Sequence, residues 1–313
     1  MNKYIDKTIL VTGPKRAGKT LLLRMFDNEQ GFIHFIDEAF FWEHVYNYQA
    51  LGLEDIFIDM YRHFSPDKLM DAIIDRDILP GLNGVFKQLN PVASPNKFTT
   101  VGFNFQTKLF LSHLDELKNC TSVAEIWNIL CHAYDEASTY DNSVRRTAFM
   151  MSGDSGKSMI ASKRSLDDCR SIFIVRDPYL AMDSLKISRN TRGQKILNPV
   201  NFAQVITYYR FIMDNKHRIL HENTLLVRYE DLIECPEYIM QEVAVHCGID
   251  YSKNLITPTL LGQKWGTNSA LVDALGIDRS SGFREIKALD SLEIQFISKH
   301  MSDYIDFFGY KLR

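Results

Sequence analysis

The sequence predicts an α/β fold: a central parallel sheet flanked by helices, with a helical insertion. Two observations carry that expectation. Five short runs rich in β-branched and aromatic residues punctuate the chain, and most are continuously apolar, as strands buried on both faces must be. Helical patterns lie between them, and strand–helix alternation favours parallel pairing through helical crossovers.

In chain order the strand candidates are 8–12 (TILVT), 31–36 (GFIHFI), 148–152 (AFMMS), 171–175 (SIFIV) and 224–229 (TLLVRY). A helix over 21–26 follows the first and one over 180–188 follows the fourth. A long helix over 202–221 precedes the fifth, and a helix over 237–247 follows it and stops at Gly248. Residues 39–146 break the alternation. They read as mainly helical (67–78 and 122–137) around a Pro/Asn/Ser-rich loop at 90–100, and separate the second and third strands. This segment is expected to be a helical insertion over one end of the sheet, serving either as the acceptor side of a site or as packing. The whole of 1–313 reads as one α/β domain.

Composition narrows the function classes. Of 313 residues 45% are hydrophobic, and 36 Lys+Arg stand against 39 Asp+Glu, a net charge of -3. A binder of extended nucleic acid carries a basic excess, so no nucleic-acid partner is expected. No apolar run approaches the roughly 20 residues of a membrane span, and no secretory leader is visible at the N-terminus. Cys120, Cys131, Cys169, Cys235 and Cys247 are odd in number and scattered, which argues against a disulfide framework or a structural zinc site. The expectation is a cytoplasmic protein with no metal site.

Residues 13–20 (GPKRAGKT) fit the GxxxxGK[ST] phosphate-loop pattern directly between a strand and a helix. Glycines let backbone N–H groups turn around an anion, the helix N-terminus adds partial positive charge, and Lys15, Arg16 and Lys19 add full charges. This gives the fold a P-loop NTPase-like character. An apolar strand ending in Asp37 adds an option for Mg²⁺, so a kinase or NTPase using Mg-ATP is one reading.

Farther on, an apolar strand ends in Arg176-Asp177-Pro178, with Pro178 suited to a first helical turn. Ser184 lies eight residues after Arg176, where a guanidinium and a hydroxyl can converge on one phosphate. Then come 225–232 (LLVRYEDL) and Cys235-Pro236. In this order the segments resemble the sulfotransferases that use 3′-phosphoadenosine-5′-phosphosulfate (PAPS). Residues 279–284 (RSSGFR) and 307–310 (FFGY) resemble that family's late loop and ending. The resemblance covers roughly 8–36 and 148–313; residues 39–146 match none of its motifs.

The resemblance implies a sulfotransferase that moves the sulfuryl group of PAPS to an acceptor hydroxyl, on a small molecule or a glycan, with adenosine 3′,5′-bisphosphate as product. It implies that Lys15, Arg16, Ala17, Gly18, Lys19 and Thr20 cradle the 5′-phosphosulfate, with Arg16 and Lys19 stabilising the transferring group. Arg176 and Ser184 take the 3′-phosphate, Tyr229 lies near the adenine unless it is a core aromatic, and Ser281, Gly282 and Arg284 close over the donor. Lys19 stands where the family usually carries Thr or Ser, which keeps the Mg-ATP reading alive.

Two carboxylates compete for the role of general base. Glu38, expected just past the second strand, resembles the base of carbohydrate sulfotransferases, and Phe40, Phe41 and Trp42 beside it would raise its pKa by desolvation. Asp154 lies after the third strand in 152–158 (SGDSGKS), where Lys157 could reach the sulfonate. His34 reads as a core residue. The aromatics between Phe32 and Tyr48 read mostly as core, with stacking on an acceptor as the other option.

Overall fold

The computed structural model describes residues 4–27, 29–69, 105–138, 146–153, 155–191, 199–260, 262–265 and 276–313; for 34, 36–39 and 191 the backbone alone is described. All five expected strands form: β1 (Lys7–Thr12), β2 (Phe32–Ala39), β3 (Thr147–Ser152), β4 (Cys169–Val175) and β5 (Thr224–Arg228). They make one parallel sheet in the order β2-β3-β1-β4-β5. With β1 central and crossovers on both sides, the strands' C-terminal ends open side by side along one edge, where α/β sheets bind ligands.

The register sorts the strand residues into two faces. Ile9, Val11, Phe149, Met151, Ile172, Ile174 and Val227 point to one. There they pack against α1 (Lys19–Met25) and the helices that follow β5, namely α10 (Tyr229–Glu234) and α11 (Pro236–Cys247). Leu10, Ile33, Phe35, Ala148 and Met150 point to the other. That face is covered by α2 (Phe41–Ala50), α3 (Glu54–His63), α4 (Thr107–Leu114) and α5 (Val123–Ala137). The helices expected over one end of the sheet thus form a flanking layer on one of its faces. Phe41, Trp42, Trp127, Phe35 and Tyr134 are buried there in ring contact, and the Trp127 Nε1 donates to Thr8 Oγ1 at 2.9 Å. Full burial of one such side chain is worth about 1.5–3 kcal/mol, so most of the aromatic run after β2 is core. The expected helix over 67–78 and the loop at 90–100 lie outside the described residues beyond Leu69.

The rest of that face packs on α6 (Lys157–Ser165), α7 (Pro178–Thr191), α8 (Pro199–Asp214) and α9 (Lys216–Ile219), closed by α12 (Ser291–His300) and α13 (Ser302–Phe307). The helix expected over 202–221 is therefore two. Asn215 takes a non-helical conformation and its Nδ2 donates to the Phe211 carbonyl at 2.9 Å, a local bond that competes with helix continuation. Gly248 caps α11 at φ 71°, as expected. Strand β2 is longer than expected: it shifts register between His34 and Glu38 and runs to Ala39. Glu38 is therefore not past the strand but within it, its backbone opposite Met151. Tyr229 opens α10 instead of ending β5. No described helix is long and apolar enough to cross a membrane.

Candidate functional site

The turn from β1 to α1 is built for close approach. Gly18 caps the helix at φ 107°, and a Cβ there would fall inside the Tyr229 ring. A Cβ on Gly13 would overlap the Ile174 carbonyl. Arg16 is the one described non-glycine residue with positive φ, at 64°. Holding it there costs of order 1–3 kcal/mol, a strain typical of ligand loops. Ala17 and Lys19 are buried, and the Thr20 hydroxyl touches the Met151 Sδ at 3.6 Å.

Arg176 ties this turn to two distant segments. Its Nη1 donates to the Arg16 carbonyl at 3.0 Å and its Nη2 to the Ser281 carbonyl, while its guanidinium lies 4.4 Å from the Tyr229 ring centre. The Tyr229 hydroxyl meets Ser281 Oγ at 2.5 Å. Arg16 Nε donates to Ser184 Oγ at 3.2 Å. Ser184 stands on α7, which Asp177 caps by accepting from the Tyr179 and Leu180 amides. Next to it, Asp183 is fully buried; it holds Arg284 in an ion pair and accepts the Lys287, Ala288 and Leu289 amides. Gly282 packs on Ile233 and Glu230. Arg16, Gly18, Arg176, Ser184, Tyr229, Ser281, Gly282 and Arg284, scattered in sequence, therefore form one cluster.

The cluster gathers buried cationic donors. Arg176 is 6% exposed, and no carboxylate lies within ion-pair distance of it among the described residues. Its buried Nε, like Nη2 of Arg284, has no hydrogen-bond partner there. Buried cationic donors left without partners are costly, so such groups mark ligand positions. Around them Glu230 accepts from the Asp177 amide and the Tyr310 hydroxyl, and burial raises its pKa. Arg313 Nη2 braces Asp177 at 2.9 Å.

Other expected residues fall differently. Arg16 reaches Ser184, so its side chain joins the Arg176 cluster instead of standing apart with Lys19. Lys157 is held over the rings of Tyr46 and Phe211, at 5.6 and 5.4 Å, as an aromatic-clamped cation. Arg279 is exposed and Lys15 half-buried. The side chains of Asp37 and Glu38, and all of Asp154, lie outside the described residues.

Sequence reasoning missed Glu43, in the first turn of α2. Its Oε1 accepts from Ser155 Oγ at 3.3 Å, and Gly153 lies so close that a Cβ there would strike the carboxylate. The Gly153 carbonyl in turn accepts the Thr12 hydroxyl at 2.6 Å, one residue before the β1 turn. Glu43 thus brings a carboxylate to the strand ends beside the phosphate loop. Its only sequence signal was an acidic residue in a first helical turn.

Comparison with known proteins agrees. Residues 107–253 match the model of a family described as the sulfotransferase family. The match begins inside the segment that resembled nothing in sequence, at α4. Among solved structures, the sulfotransferase domain of the olefin synthase of Synechococcus PCC 7002 is 18% identical, with TM-score 0.54 over 100% of this chain and 98% of that one. The sulfotransferase domain from the curacin biosynthetic pathway is 13% identical, with TM-score 0.53 over 98% and 99%. No curated protein matches the sequence. At such identities the structural likeness shows the fold alone, which is the same α/β fold end to end. Together with the family match over residues 107–253, this gives the chain the fold of sulfotransferase domains and a partial sequence likeness to the sulfotransferase family.

Proposed function

We propose that the protein transfers the sulfuryl group of PAPS to a hydroxyl of a small-molecule or glycan acceptor. One observation carries the choice of donor: the buried Arg176, its Nε without a partner, is bonded to the carbonyl of Arg16, whose own Nε reaches Ser184. A 3′-phosphate would supply an anion for Arg176 and Ser184, a group that ATP lacks.

The donor supplies an activated sulfuryl group on a phosphate leaving group. The acceptor oxygen forms a bond to sulfur while the bond to the phosphate oxygen breaks, so negative charge grows on the leaving phosphate. Lys19 and the first-turn amides of α1 are positioned to stabilise that charge, with no reorganisation needed at the moment of reaction. Arg16, strained and tied to Ser184, keeps the turn in its anion-facing shape. A carboxylate takes the acceptor proton. Glu43 is the described carboxylate beside the β3 turn; Glu38 and Asp154, on the segments beside it, are its rivals. On this reading, residues 1–313 act as one domain, with the 39–146 segment on the acceptor side.

Thermal unfolding tests the proposal. Adenosine 3′,5′-bisphosphate without metal should raise the melting temperature more than Mg-ATP does, because a ligand stabilises the state it binds. Arg176→Ala should weaken the bisphosphate by about 10- to 150-fold, the worth of one charge-assisted contact of about 1.5–3 kcal/mol. Stronger stabilisation by Mg-ATP would favour a kinase or NTPase instead. Nucleotide binding with no sulfated product from any hydroxyl acceptor would leave a silent binder.

A further inference from the structure

On the layer of helices between β2 and β3, α4 and α5 bring two histidines and a glutamate together. The His113 and His132 rings lie 4.6 Å apart between centres. One donor atom each from His113, Glu116 and His132 falls within 4.8 Å of the others. We propose that these three residues bind a divalent transition-metal ion of the zinc class, clamping α4 to α5 at a site separate from the sulfuryl-transfer centre.

The donor set suits such an ion. Two imidazoles and one carboxylate are borderline-to-hard donors of the kind zinc takes, and three protein ligands leave a position for water. Zinc bonds of about 2.0–2.2 Å put tetrahedral ligand atoms roughly 3.3–3.5 Å apart. The donors must therefore close by up to about 1.5 Å, within reach of side-chain rotation at partly exposed positions. The side chains are 20% exposed for His113, 29% for His132 and 49% for Glu116, so the ion has an entry path. Each histidine already has an acidic partner: His113 Nδ1 lies 3.7 Å from Glu116 Oε1, and His132 Nε2 lies 3.9 Å from Glu136 Oε1. Glu136 is therefore available as a fourth ligand.

The surroundings favour a cation. Asp135, which accepts the Tyr4 hydroxyl at 2.6 Å, adds negative charge, and the Tyr4 ring packs on His132 at 4.2 Å. Tyr4 precedes β1, so the cluster lies toward the strands' N-terminal ends, away from Arg16 and Lys19. The ion's role is to join two helices across the chain turn between them.

Zinc titration of the chelator-treated full chain tests this, by calorimetry and thermal unfolding, in a Cys235→Ser background because Cys235 is an exposed thiol. One equivalent should bind. At zinc 100-fold above its Kd the melting temperature should rise by about 5 °C. His113→Ala with His132→Ala should lower affinity by about 100-fold or more, and Glu116→Gln, at an exposed side chain, by about 10-fold. Cobalt should give ligand-field bands in the parent that vanish in the histidine variants. Affinity for adenosine 3′,5′-bisphosphate should not change. No saturable binding, or binding undiminished in the histidine variants and in Glu116→Gln, would overturn the proposal. Should the histidine variants fail to fold, Glu116→Gln and the cobalt spectrum of the parent still decide it.

Discussion

The turns after β1 and β3 deliver the same three residue types to the start of a helix. Gly18-Lys19-Thr20 opens α1 and Gly156-Lys157-Ser158 opens α6, each behind a left-handed glycine, at φ 107° and 76°. Their surroundings differ. Around the first gather Tyr229, Arg176, Ser184 and the 3-10 turn Arg279–Gly282. Around the second, Lys157 is taken up by Tyr46 and Phe211, and a carboxylate, Glu43, leans on Gly153 and Ser155. Two adjacent turns of similar local sequence thus face opposite charge environments. On the proposed function, the cations of the first would meet the leaving phosphate and the carboxylate of the second the acceptor proton. Short motifs set backbone shape; what stands opposite sets chemistry.

Three substitutions probe that division. The largest effect is expected at Glu43→Gln, which should lower kcat by about 10²- to 10⁴-fold with unchanged affinity for adenosine 3′,5′-bisphosphate. If Glu38→Gln or Asp154→Asn does this and Glu43→Gln does not, the base belongs to another segment. Next is the lysine pair. Lys19→Met should cost about 10²- to 10³-fold in kcat, as loss of a preorganised charge contact does. Lys157→Met should leave nucleotide affinity intact and cost about 0.5–2 kcal/mol in urea unfolding, the worth of its ring contacts. Equal losses of nucleotide binding would show that the two turns act together on the donor.

The smallest effect concerns pH. Burial raises the Glu230 pKa in the folded protein. The stability linked to its proton is therefore complete below the ordinary carboxylate value and lost as pH rises through the folded value. Glu230→Gln should flatten the decline in urea midpoint over that window. An unchanged slope would place the titration elsewhere.

Much of this was legible in sequence. The five strands stood out because a doubly covered sheet demands continuous apolar runs, and the β1 turn stood out because only glycine fits Gly13 and Gly18. Other features were not legible, for identifiable reasons. The β2 register shift depends on its pairing with β3, not on its own composition, so Glu38 was misplaced relative to the strand end. Glu43 gains meaning only because α2 folds back over a turn more than a hundred residues later. The use of Lys157 required Phe211, from a helix on another element.

The guanidinium of Arg176 has a temporal consequence. It is anchored by the carbonyls of Arg16 and Ser281, the latter in the late turn that leads to Arg284. Roughly 270 residues of chain separate Arg16 from Arg284. At about 5–20 residues per second of synthesis, that interval is on the order of 15–50 s. During it the first phosphate turn exists on the ribosome without the segment that completes it. On the proposed function, a nascent chain would form β1 and α1 early yet hold no nucleotide until the late turn has emerged, so that ligand capture would report completion of the fold.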